Sequence, residues 1–376
     1  MSSTANLSHF KNAKRIVVKI GSSLLVDPER GVLHRKWLGS LADDLETLRQ
    51  RGQEIIIVSS GAISLGRRYL GFTSGDLRLE EKQAAAAAGM VRLAHAYQEC
   101  FSHHDISVAQ ILLTLDDSEN RRRYLNARST LMTLLKLGAL PLINENDSVA
   151  TDEIRFGDND RLAARVATMI SADILVLLSD IDGLYTADPS HDKSATLVPE
   201  VHEITPQIEA MAGSAASLDS RGGMVTKLAA AKQCMSAGSA LVITKGEVEH
   251  PLRALENGAN STWFFPQGNP QTARKRWISG SLQPVGSIIV DDGALKALSR
   301  GRSLLPAGVA DIIGNFQRGD AVTVTSTNGK EIGRGLCAYS SDDARRIMGH
   351  KTSEIEKLLG YRGRDEMIHR DDLVIT

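Results

Sequence analysis

Four short clusters carry the residue types that chemistry needs: Lys19-Ile20-Gly21-Ser22-Ser23, Ser59-Ser60-Gly61-Ala62, Asn144-Glu145-Asn146-Asp147, and Ser179-Asp180 followed by Asp182-Gly183. The first offers a cation beside Gly and Ser amides able to form a concave nest for phosphate oxygens. Its spacing is not that of a Walker A loop, and the same residues also make a plain strand-end turn. A further phosphate element is Ser220-Arg221-Gly222-Gly223-Met224-Val225-Thr226-Lys227, where a Gly pair opens a helix whose N-terminal amides and dipole favour an anion. A Gly pair before a helix is also an ordinary loop. Lys227 could reach the same phosphates as Lys19, and two lysines on separate loops favour a clamp. The segment Gly157-Asp158-Asn159-Asp160-Arg161 precedes a helix starting near Leu162, where its side chains serve as N-caps. Alternatively, with Asp147, it supplies carboxylates and amides for the α-ammonium of an amino acid, or holds a lysine and Mg²⁺ in place. Sequence alone does not divide those roles.

This set suits phosphoryl transfer, which asks the protein for positioning and for neutralisation of charge spread over phosphoryl oxygens. A carboxylate acceptor with a reference pKa of about 4.3 is already ionised at neutral pH and requires no general base. No Ser/His/Asp triad is needed, and none is evident. Gly333 to Ala338 formally fits a GxGxx[GA] pattern, but no βα crossover follows, so it reads as a strand with small residues. His103-His104 has no partner at metal-ligand spacing and reads as a helix-end pair.

The elements that must position these residues follow from periodicity. Arg15 to Ile20 and Glu54 to Ser60 are β-branched or aliphatic runs, and between them Leu38, Leu41, Leu45 and Leu48 form one helical stripe ending near Gly52. That is a βαβ unit. The alternation continues with a helix around Glu80 to Phe101, a strand at Ser107 to Leu113, a helix ending near Leu137 and a strand at Ala139 to Asn144. Asp173 to Asp180 and Ala240 to Gly246 are nearly continuous apolar runs, as central strands of a parallel sheet buried on both faces should be. In such a sheet ligands bind beyond the carboxyl ends of the strands, where the clusters fall. From Ser261 the pattern changes to turn-rich sequence, and after Pro284 come short strands with an Asn328-Gly329 hairpin signal, which predict a small β-rich barrel.

At 376 residues the chain exceeds what one hydrophobic core usually organises, so two domains are expected: residues 1–262, a linker at 263–283, and 284–376. Lys and Arg number 44 and Asp and Glu 45, so no global field favours nucleic acid or an anionic membrane. The three cysteines lie far apart without CxxC or Cys/His clustering, which points to neither a disulfide framework nor a zinc site. The first residues lack a secretory pattern, and no apolar run approaches the roughly 20 residues that span a bilayer, so a cytoplasmic protein is expected.

The motifs VVKIGSSLL, VSSGAISLG, LPLINENDSVAT, FGDNDRLAA, LLSDIDGLYTADP and GGMVTKLAAA resemble, in order and over nearly the whole chain, the glutamate-phosphorylating kinases of the amino-acid kinase family. The later SLLPAG, GNFQRGD and HRDDLVIT resemble the PUA domain that many members carry. The resemblance implies a three-layer αβα sandwich followed by a small PUA barrel. It also implies ATP-dependent phosphorylation of the L-glutamate side-chain carboxylate to glutamyl 5-phosphate, with Mg²⁺, as the first step towards proline. By matching position, Lys19 and Lys227 contact ATP phosphates, with Gly21 and Ser22 in the same loop. Ser179, Asp180, Arg221, Gly222, Gly223, Met224, Val225 and Thr226 surround the nucleotide, and Asp160 organises the lysines. Ser60 with Gly61, Asp147 and Asn159 match the glutamate-binding positions, and no protein metal ligand is assigned. Two departures stand out: GSS where many members have GTS, and Arg221 where a small residue often precedes the Gly pair. Feedback inhibition by proline, a glutamyl phosphate reductase partner and a homo-oligomer are further expectations. Rival readings are another small acceptor or, through the PUA domain, RNA. The 13 Lys/Arg and 13 Asp/Glu from Pro284 to Thr376 lack the basic excess that RNA phosphates call for.

Overall fold

The structure, a computed structural model, describes residues 2–27, 30–72, 75–149, 158–212, 223–270, 272–273 and 283–375. The chain divides into two compact units, Met1–Pro270 and Gln271–Thr376. The first is built on an eight-stranded sheet. Its strands in chain order are β1 (Arg15–Ile20), β2 (Glu54–Ser59), β3 (Val108–Leu113), β4 (Leu140–Glu145), β5 (Ile174–Ser179), β6 (Glu200–Val201), β7 (Ala240–Lys245) and β8 (Ser261–Phe264). They lie in the order β3-β4-β2-β1-β5-β7-β8-β6, parallel from β3 through β7, with β8 antiparallel to β7. Trp263 and Phe264 thus belong to the sheet of the first unit.

The central strands carry apolar residues at successive positions because both faces are covered. Ile16, Val18 and Ile20 of β1 point into one core with Ile174, Val176 and Leu178 of β5. Against that face pack α1 (Ser2–Asn12), through Phe10, and α2 (Arg35–Gln50), through the leucine stripe. The short α3 (Ala62–Tyr69) and the long α4 (Leu79–Ser102) cover the same side. Val17, Leu175 and Leu177 face the opposite core, closed by α5 (Arg121–Lys136), α6 (Asp158–Ile170) and α7 (Met224–Ser236). The result is the three-layer αβα sandwich that the resemblance implies, built from the α/β alternation that periodicity predicts. β1 leads to β2 on one side, while β5, on its other side, is reached only after β4; that reversal opens a crevice at the carboxyl ends of β1, β2 and β5.

In the second unit, β9 (Gly286–Val290), β10 (Val309–Gly314), β11 (Ala321–Ser326), β12 (Glu331–Leu336) and β13 (Leu373–Ile375) form one sheet ordered β10-β9-β11-β12-β13. Asn328-Gly329 turns β11 into β12, with Gly329 at φ 82°, which glycine adopts freely. Gly333 and Gly335 lie within β12, where added Cβ atoms would run into the backbone at Asp372, Val374 and Ile375 and the side chain of Ile368, so they serve close strand packing. Short helices at Asp292–Ser299 and Ser341–Ile347 also pack on this core, where the sequence shows only strands and turns.

Candidate active site

Side chains alternate along a strand, so Lys19 leaves β1 on the face of Val17, towards α6 and α7. There its Nζ meets Asp160 Oδ1 at 2.6 Å. The other oxygen of the same carboxylate, Oδ2, receives Lys227 Nζ at 3.2 Å from the first turn of α7. Thr226 Oγ1 lies 3.3 Å from that oxygen and 2.9 Å from Gly223 O, sharing its one proton between them. The three charged groups are deeply set, with 8% of Lys19, 7% of Lys227 and 1% of Asp160 exposed. Burial opposes ionisation of Asp160, but the Lys19 and Lys227 ammoniums outweigh it and hold the carboxyl below its usual range. Two cations share one anion, so the trio carries one net positive charge. A phosphoryl group is the kind of anion that balances such an excess.

Gly21 follows β1 with φ −68° and ψ 152°, a conformation open to any residue, and an added Cβ would approach nothing nearer than Leu178 O at 3.7 Å. Neither backbone nor packing demands glycine there; its absent side chain leaves the floor beside Lys19 open. Ser22 begins the single turn Ser22–Leu25. Across the sheet, Ser179 ends β5 and its Oγ donates to Asp180 Oδ1 at 2.8 Å. Gly223 caps α7 with extended backbone, Met224 is half-buried against the core, and Val225 is exposed. Arg221 and Gly222 lie outside the described residues, as does Gly157.

A second group forms beyond β2 and β4. Asn159, in the first turn of α6, donates through Nδ2 to Ser60 Oγ at 2.6 Å. Asn144, near the end of β4, donates to Ser59 O at 2.8 Å. The side-chain oxygens of both asparagines are buried and, among the described residues, meet no hydrogen-bond donor. Buried acceptors of this kind are satisfied by a ligand that donates, as an ammonium does. Gly61 adopts φ 99°, and Asp147 is buried in the turn after β4. The structure therefore assembles Lys19, Asp160, Thr226 and Lys227 at one end of the crevice and joins Ser60 to Asn159 at the other. Asn144 stands in one of the strand-end clusters that the sequence singles out, but its own part, holding the Ser59 carbonyl with a buried oxygen to spare, is not assigned there.

A site of this make-up, two lysines about a carboxylate at the switch point of a mainly parallel sheet, marks a phosphoryl-transfer enzyme of α/β architecture. The model of the amino acid kinase family matches residues 14–245, and the chain belongs to that family. The PUA domain model matches residues 286–359. The glutamate 5-kinase of Paramagnetospirillum magneticum is 63% identical, covering 98% of this chain and 100% of its own. That of Allorhizobium ampelinum is 59% identical over 99% of this chain and 94% of its own. Among solved structures, UMP kinase from Bacillus anthracis aligns over 68% of this chain and 97% of its own, with 15% identity and a TM-score of 0.48.

Proposed function

We propose that this enzyme transfers the γ-phosphoryl group of ATP to the side-chain carboxylate of L-glutamate, giving glutamyl 5-phosphate. The observation that carries the reading is the Lys19–Asp160–Lys227 bridge, whose excess positive charge suits phosphoryl oxygens. The relatives named glutamate 5-kinase, at about 60% identity over nearly full length, support glutamate as the acceptor. In this reading Lys19 and Lys227 gather negative charge as it moves from the γ-phosphoryl group to the bridging oxygen, and Asp160 keeps both ammoniums aimed. The amides of Gly21, Ser22 and the Gly223 to Lys227 turn cradle the triphosphate, with Ser179, Asp180, Arg221 and Gly222 around the nucleotide. Ser60, Gly61, Asp147 and Asn159 hold glutamate, whose ionised carboxylate attacks without a base. Among the described residues no group of three or more His, Cys, Asp or Glu is placed to hold a metal. In this reading Mg²⁺ would accompany ATP and neutralise phosphate charge when bound.

The product is an acyl phosphate, which hydrolyses readily, so a reductase that takes it directly is the expected partner. Proline as feedback inhibitor, a homo-oligomer and a cytoplasmic setting belong to the same reading; no described helix is long and apolar enough to cross a membrane. Steady-state kinetics test the proposal. Lys19→Ala and Lys227→Ala should each lower kcat by about 10²- to 10³-fold, the usual cost of losing one charge-stabilising group. Unchanged kcat in either variant removes that lysine from the mechanism, and phosphorylation of aspartate as fast as glutamate overturns the acceptor.

A further inference from the structure

Tyr97 of α4 lies on the face of the sheet opposite the two lysines, fully buried, yet its hydroxyl reaches the strand-end loop. Its oxygen stands 3.0 Å from Ser59 Oγ. Ser59 Oγ in turn donates to the carbonyl oxygen of Ser60 at 3.2 Å. A serine hydroxyl has one proton, and Ser59 gives its proton to Ser60 O; Tyr97 is therefore the donor in the bond between the two hydroxyls. The relay runs from Tyr97 to Ser59 to the Ser60 carbonyl.

The Ser59–Ser60 segment is tethered at three further polar atoms as well. Ser59 O accepts from Asn144, the Ser60 N–H donates to Ile20 O at 3.2 Å beside Gly21, and Ser60 Oγ accepts from Asn159. These three tethers tie the segment to β4, to the Lys19 loop and to α6. The relay adds a fourth, from α4. Next in the chain is Gly61, at φ 99°, a residue with the freedom to act as a hinge if the preceding carbonyl is released.

We propose that Tyr97 is a positioning residue for the acceptor. Through Ser59 it fixes the Ser60 carbonyl, and so the direction in which Ser60 presents its hydroxyl, without touching substrate. The inference rests on the reading of Ser60 as an acceptor-binding residue. Burial of the Tyr97 ring, which stacks on Phe101 with centroids 6.2 Å apart, belongs to the core and survives removal of the hydroxyl.

Kinetics of Tyr97→Phe, Ser59→Ala, the double variant and Ser60→Ala separate the two ideas. Tyr97→Phe should raise KM for glutamate about three- to tenfold, the equivalent of one net hydrogen bond, while kcat and KM for ATP stay near wild type. Ser59→Ala cuts the same relay one group further on and should give a similar rise, and the double variant should exceed neither single one, because the groups act in series. If Ser60→Ala leaves KM for glutamate unmoved, the acceptor role of Ser60 falls and the relay has nothing to position. If Ser60→Ala raises it while Ser59→Ala and a normally melting Tyr97→Phe do not, the relay alone is wrong. Effects that add in the double variant, or that fall equally on glutamate and ATP, also overturn it.

Discussion

Asp160 carries a burden that neither lysine shares, since its one carboxylate restrains both ammoniums. Asp160→Asn leaves two buried cations facing each other, and removing one partner of a buried ion pair typically costs about 3–5 kcal/mol, so a lower Tm and reduced kcat are expected. The folded-state pKa of this carboxyl is depressed, so its contribution is complete above the unfolded value, near about 3.9, and is lost as pH falls through the lower folded value. Unfolding titrations should therefore show the gap between wild type and Asp160→Asn closing below about pH 4; a gap that persists unchanged at lower pH counts against the bridge. Gly21→Ala is a milder test. The fold tolerates a methyl there, so Tm should hold while KM for ATP rises, and a parallel fall in Tm contradicts an open phosphate floor. Lys19, Lys227 and Asp160 are legible in the sequence because strand ends and helix starts are where a parallel sheet collects ligands. That Asp160 organises both lysines is implied by the family resemblance rather than by any local pattern, and the roles of Asn144 and Tyr97 are legible in neither. Which buried polar atoms meet depends on how α4 and α6 pack, and no local pattern encodes that.

Elements meet most closely where α3 crosses α4. Gly66 and Gly89 let the two backbones touch: a Cβ on Gly66 would overlap the Ala85 carbonyl, and one on Gly89 the Ala62 carbonyl. Either glycine changed to alanine forces the helices apart and should lower stability by at least about 1–3 kcal/mol, measurable as a drop in Tm. Because α3 begins directly after Gly61, the same change should also raise KM for glutamate; a variant with reduced Tm but unaltered KM would separate the crossing from the site. Long elements announce themselves: the leucine stripe of α2 and the apolar runs of β5 and β7 predict their places within a residue or two. The described α-helices of the second unit, five to eight residues each, span at most about two turns, too few for a periodic stripe to rise above strand-like alternation.

The molecule divides its interior as it divides its chain. Two cores line the faces of the large sheet, and both draw on residues before Pro270; the third draws on residues from Ile288 onward. A chain ending at Pro270 should therefore fold and keep glutamate-dependent ATP turnover; an inactive but folded fragment would tie the PUA unit to catalysis. The bridge at the site has a further meaning for how the enzyme is made. Lys19 leaves the ribosome early, while Lys227 follows more than two hundred residues later. β1 lies between β2 and β5, so it settles only when strands from both sides of it have arrived. Until α7 docks, Asp160 has a single cation to balance it and the crevice lacks its positive excess. A chain stopped before α7 should therefore bind ATP more weakly than the complete kinase unit, and ATP binding measured on stalled chains of increasing length should strengthen once Lys227 is included.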